Sequence, residues 1–119
     1  MLTPERTGDG CIRIVVETSM TIYEAEKLRE EWAAHFNEFL NPDSENEAAG
    51  VSFDLKQVSA CDITGVQLLC SARKTAELNN KLFSVSEASK EVMEAVTETG
   101  LEPDKLFSAA RLNKEKTNG

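Results

Sequence analysis

Val51-Ser52-Phe53-Asp54-Leu55-Lys56-Gln57-Val58-Ser59-Ala60-Cys61-Asp62-Ile63-Thr64-Gly65-Val66-Gln67-Leu68-Leu69 changes its apolar period part-way along. Val51, Phe53 and Leu55 alternate with polar residues, as a half-buried strand requires. From Val66 to Leu78 the apolar side chains recur at helical spacing, with Val66, Leu69, Cys70, Ala76 and Leu78 among those expected to meet the core. Residues 58–62 form a short connection. In α/β sheets, loops at the carboxyl ends of strands are where ligands and partners bind. Asp62 stands where its side chain can accept from the free amides of the first helical turn. Gly65 leaves that turn bare of side chain, so another surface could approach closely. An ordinary capped helix start has the same local signature, so the stretch fixes a strand–loop–helix unit before it fixes a site.

Working outward, the flanks repeat the alternation of strand and helix. Cys11 to Glu17 is rich in β-branched residues and reads as a strand. The turn Gly8-Asp9-Gly10 separates it from Leu2–Arg6, a shorter segment that Pro4 confines to a sheet edge. Thr21-x-x-Glu24 has capping-box spacing. It opens a helix whose stripe is Ile22, Ala25, Leu28, Trp32, Phe36 and Phe39, and Asn41-Pro42 ends it. Asp43 to Gly50 is a polar loop. Beyond the second helix, Asn79-Asn80 supplies residues that tolerate the left-handed cap, and Leu82–Val85 reads as a strand. Ser89 caps a third helix, Lys90 to Thr99, with Gly100 just past its end. Leu101, Leu106 and Phe107 form a last apolar patch, expected as a short final strand. The order implies an α/β domain with parallel strand pairs joined by right-handed crossovers. Val15, Leu28, Trp32, Phe53, Leu55, Leu69, Val85 and Val96 are the expected core.

The chain has 119 residues and a formal charge of −8, from 13 basic and 21 acidic side chains. This length suits one domain, expected over residues 1–110, with a polar tail over 111–119. The acidic balance argues against nucleic acid and anionic membranes as direct partners, because both need basic patches. No apolar run reaches the roughly 18 residues of a membrane span, and the start lacks the pattern of a signal peptide. A cytoplasmic location is therefore expected. Cys11, Cys61 and Cys70 have no paired spacing, so three buried, reduced thiols are expected. A single histidine, His35, excludes two-histidine metal motifs. Phosphate loops, dinucleotide fingerprints and nucleophile elbows are absent. A non-enzymatic protein without metal or cofactor is the expectation, and a small enzyme or nucleotide-binding domain is set aside on the same grounds.

With these elements in order, Asp62-Ile63-Thr64-Gly65-Val66 resembles a motif of the STAS domains, the anti-sigma factor antagonist family. Those domains place an aspartate, small hydroxyl residues, a glycine and an aliphatic residue at the start of their second main helix. The resemblance extends to Met20–Leu28, to Val51–Leu55, and to Glu91–Val96 followed by Thr99-Gly100-Leu101, covering residues 2–107. It implies a STAS-like fold, a mixed β-sheet packed with right-handed β-α units. It also implies a protein partner, an anti-sigma factor that is also a serine kinase, bound at Asp62, Ile63, Thr64 and Gly65. In the family, phosphorylation of the residue directly after the aspartate turns binding off. Here that residue is Ile63, which has no hydroxyl. Thr64 is the candidate phosphorylation site, being the only hydroxyl between Asp62 and Gly65, and Ser59 is a weaker one. The alternative implied by Ile63 is a lone STAS subunit of a lipid-transport ABC complex or signalling scaffold, with no phosphoswitch. The sequence carries no signal for an oligomeric state.

Overall fold

A computed structural model describes residues 2–107. The expected tail over 111–119 lies outside the described residues. The elements run β1 (Leu2–Arg6), β2 (Ile12–Val16), α1 (Ala25–Phe39), β3 (Gly50–Leu55), α2 (Ile63–Leu78), β4 (Leu82–Ala88), α3 (Lys90–Glu98) and α4 (Pro103–Phe107). One sheet holds the strands in the order β1-β2-β3-β4, antiparallel at the first pair and parallel at the other two. The hairpin turn uses Gly10 at φ +87°, a conformation that costs glycine little. Pro4 lies on the edge strand, where its missing N–H breaks no ladder.

The pleat sends Ile12, Ile14 and Val16 of β2, and Val51, Phe53 and Leu55 of β3, to one face. There they meet Leu28 and Trp32 of α1, Leu69 and Ala72 of α2, and Val92 and Val96 of α3 in a single core. Trp32 and Phe53 bring their ring centroids to 4.8 Å, and Phe83 adds a further ring at 5.8 Å from Phe53. Such aromatic pairs add to the gain from burial itself, roughly 1.5–3 kcal/mol per large side chain.

Six of the eight expected core residues are buried; Val15 and Val85 are corrections, both being half-buried. Ile14-Val15-Val16 is a continuous branched run, and the pleat allows only alternate members inward, so Val15 falls on the opposite face. Val85 packs against the margin of the core on the edge strand β4. A register shift follows it directly: Val85 pairs Phe53, but Asp54 pairs Glu87.

The expected last strand is a short helix, α4. Pro103 has its φ preset for a first helical turn, and the Glu102 carbonyl accepts from the Lys105 and Leu106 amides at 3.1 Å each. The Arg73 guanidinium donates to the carbonyls of Lys105 and, at 3.0 Å, Leu106, fastening the end of α4 to α2. Two helix ends close as their residue types suggest, with Asn80 at φ +57° after α2 and Gly100 at φ +85° after α3. Leu78 departs from its expected face and is exposed.

The far face of the sheet is charged. Asp54 is only 1% exposed there, covered by Arg13, with which it forms an ion pair, and by Lys56 at 3.8 Å. Burial pushes its carboxyl up, but the Lys56 backbone N–H and Arg13 outweigh that, so its pKa lies below the ordinary 3.8.

Candidate functional site

The connections after β2 and β3 run side by side beyond the carboxyl ends of their strands. The Met20 amide donates to the Ala60 carbonyl at 2.8 Å, and the Asp62 amide donates to the Met20 carbonyl at 3.2 Å. Met20 and Cys61 thereby form a parallel bridge that extends the β2–β3 pairing past both strands. The Met20 side chain is fully buried, which anchors the joint to the core. The hydroxyls of Ser19 and Ser59 meet across the same joint at 3.2 Å.

Of the expected capping box only the glutamate half forms, and it closes a separate turn ahead of α1: the Thr21 hydroxyl accepts from the Tyr23 amide at 3.3 Å, while the Glu24 amide donates to the Thr21 carbonyl at 3.1 Å. The Glu24 carboxylate accepts from the Thr21 amide at 2.9 Å and the Thr21 hydroxyl at 2.7 Å. The helix itself starts four residues after Thr21, at Ala25, with Glu24 in the cap position. Ile22 therefore sits on a protruding turn rather than on the helix stripe. It is 66% exposed, and Tyr23 beside it is 91% exposed.

Asp62 joins the two connections. Its backbone is extended, and its Oδ1 accepts from the amides of Thr64 at 2.9 Å and Gly65 at 3.3 Å. Its Oδ2 accepts from the Ile22 amide on the other connection at 3.0 Å. Three amide donors on one carboxylate suit a negative group at a helix amino end. The one carboxylate thus caps α2 and fixes the Ile22–Tyr23 turn.

Ile63, the first residue of α2, is 60% exposed, and Thr64 is half-buried. Gly65 corrects the expectation drawn from its missing side chain. It is buried, and a Cβ there would lie 2.3 Å from the Met20 carbonyl oxygen and 2.8 Å from the Cys61 sulfur. The space beside Gly65 is filled by the protein's own β2–α1 connection, not left for a partner.

Of the thiols, Cys11 is buried while Cys61 and Cys70 are only half-buried, and no disulfide joins them. Burial, aided by the adjacent Asp62 charge, pushes the Cys61 thiol up to about 11, which disfavours the nucleophilic thiolate. His35 lies half-buried along α1, stacked on Phe39 with centroids 6.1 Å apart. Among the described residues no group of three His, Cys, Asp or Glu side chains is placed to hold a metal ion.

Residues 4–108 match the family profile described as "Mlab, STAS domain". The chain belongs to the STAS-domain family. A candidate anti-sigma factor antagonist from Thermotoga maritima shares the STAS fold at a TM-score of 0.67 and 18% identity, over 90% of this chain and 83% of that one. SLC26A9 matches at a TM-score of 0.58 and 14% identity, over 91% of this chain but 20% of its own length. No curated protein sequence matches the chain.

In this STAS domain, three of the four residues expected at the partner site, Asp62, Ile63 and Thr64, lie at the surface or half-buried on one helix end, while Gly65 lies beneath them. Sequence reasoning missed Ile22 and Tyr23. The signal available was Thr21-x-x-Glu24 itself: a threonine and a glutamate at this spacing can close a turn ahead of the helix, which releases Ile22 from the stripe.

Proposed function

We propose that this STAS domain is a non-enzymatic regulatory module that binds a protein partner at the amino end of α2, through Asp62, Ile63 and Thr64. The observation that carries this is Ile63, a large aliphatic side chain held out in solvent by a rigidly capped helix end. Leaving it there forgoes burial, and a partner would recover it. A cytoplasmic location is part of the proposal; no helix among the described residues is long and apolar enough to cross a membrane.

The partner we propose is of the anti-sigma factor and serine kinase type, which the fold shared with the candidate Thermotoga maritima antagonist supports. Thr64 then carries the switch. A phosphate there would add nearly two negative charges beside Asp62, within a contact that has to be desolvated. A second reading is favoured by Ile63 in the usual acceptor position. In it the chain is a lone STAS subunit of a larger assembly, such as a lipid-transport ABC complex or a signalling scaffold, and no phosphorylation is needed.

Affinity capture from native cell extract, with Ile63→Asp alongside the wild type, tests both. A histidine-kinase-like ATPase held only by the wild type supports the first reading, and transporter subunits support the second. A partner retained equally by Ile63→Asp removes this helix end from the interface.

A further inference from the structure

The exposed apolar residues Ile22 and Tyr23 sit on the β2–α1 connection and Ile63 opens α2, and the Asp62 carboxylate ties the two backbones together. The Ile22 amide is 3.0 Å from the Asp62 side chain, and Ile63 is the next residue in the chain. The turn is also braced from within by Glu24 on Thr21. The backbone segments that carry the three side chains are therefore held in a fixed arrangement, which lowers the ordering cost of binding.

Two carboxylates, Glu24 and Asp62, adjoin this apolar cluster. Glu24 and Asp62 engage hydroxyl and amide donors, and neither they nor the exposed Glu26 pairs with a described cation. Lys27, the nearest cation along α1, leaves the set net negative. A second copy of this chain would bring the same carboxylates to an isologous contact, since such an interface sets like patches face to face. The net charge of −8 adds to that repulsion. The size of the cluster narrows the occupant further. Three side chains cover only part of the roughly 800 Å² per side that a complex of two folded proteins buries, so they seat one element of the partner. They suit one or two turns of an amphipathic helix.

From this we infer that Ile22, Tyr23 and Ile63 form one docking surface for a short helical segment of another protein, aliphatic along its contact stripe and lysine- or arginine-rich at its rim. The inference rests on the reading of the Asp62–Thr64 helix end as a partner surface, and adds to it the Ile22–Tyr23 turn and the chemistry of the partner.

The test is a selection from a displayed library of helical peptides against the whole chain. The selected peptides are then titrated against the wild type, Tyr23→Asp and Ile63→Asp. Both side chains stand in solvent, so both variants should keep the wild-type circular dichroism and melt; Tyr23→Ser replaces Tyr23→Asp if that one does not. We expect peptides with lysine or arginine flanking an aliphatic stripe. Their affinity should fall about tenfold or more in each variant, as for a central interface residue, and should weaken as salt rises. Binders sensitive to Ile63→Asp but indifferent to Tyr23→Asp would overturn this inference and leave the proposed function standing. Binders indifferent to both would sink the two together. Acidic binders, no binders, or a dimer of the chain in sedimentation that Tyr23→Asp dissolves would each overturn the basic-segment assignment.

Discussion

The amino ends of α2 and α3 invite comparison, because both follow a parallel strand and both are capped by a side-chain oxygen. At α3, the Ser89 hydroxyl accepts from the Val92 amide at 3.3 Å, and that cap serves its own helix. At α2, the Asp62 carboxylate caps the helix and also accepts from Ile22 on a neighbouring connection. The first residue of α3 is Lys90, a solvated cation, whereas the first residue of α2 is an exposed isoleucine. A capped helix start is thus ordinary structure until its cap also organises a second segment. The pair Asp62 and Ile22, rather than the cap alone, marks α2 as the candidate site.

The largest effect should come from the packing beneath that helix end. Leu69→Ala should cost roughly 2–5 kcal/mol, since Leu69 is fully buried in the core. Gly65→Ala should cost about 1–3 kcal/mol by overpacking, because its new methyl meets the Met20 backbone rather than a yielding side chain. Urea denaturation measures both, and wild-type stability in Gly65→Ala would show that the two connections are not tightly joined.

Next in size is the contrast between the caps. Asp62→Ala should destabilise the fold by about 2 kcal/mol, at the upper end for a cap, because three amides lose a charged acceptor. Ser89→Ala should cost no more than about 1 kcal/mol. Amide exchange at Ile22 should quicken in Asp62→Ala and stay unchanged in Ser89→Ala. Equal behaviour of the two variants would erase the distinction between the helix ends.

Much of this contrast was legible in the sequence. The alternation in Val51–Leu55 and the helical spacing after Val66 place α2 behind β3, and Asp62 stands in the sequence as its cap. Ser89 is equally plain as the cap of α3. Period-two patterns say which residues share a face but not which face is inward, so an unbroken apolar run leaves the side of Val15 undecided. The glycine at position 65 was legible as a close approach, but not what approaches it, because Met20 lies 45 residues upstream and reaches Gly65 only through the sheet. The bond from Ile22 to Asp62 was hidden for the same reason: cross-connection hydrogen bonds leave no local spacing to read.

A smaller effect separates the helix end from the far face of the sheet. Asp54 is a carboxylate with structural partners only, Arg13, Lys56 and the Lys56 amide. Its pKa is depressed in the fold, so its contribution is present above the ordinary 3.8 and is lost as pH falls through the lowered value. The wild type should therefore lose more stability on acidification in that range than Asp54→Asn does. Parallel acid profiles for the two proteins would show that the ion pair contributes nothing measurable.

The central claim is that the Asp62–Thr64 helix end is the partner surface, and titration calorimetry with the captured partner tests it most directly. Thr64→Glu should weaken binding by about tenfold or more, because the added charge beside Asp62 has to be desolvated within the contact. Thr64→Ala should bind as the wild type does, and circular dichroism should be unchanged in both. Wild-type affinity in Thr64→Glu and also in Asp62→Lys, with both proteins folded, would contradict the account and leave Asp62 a structural cap like Ser89.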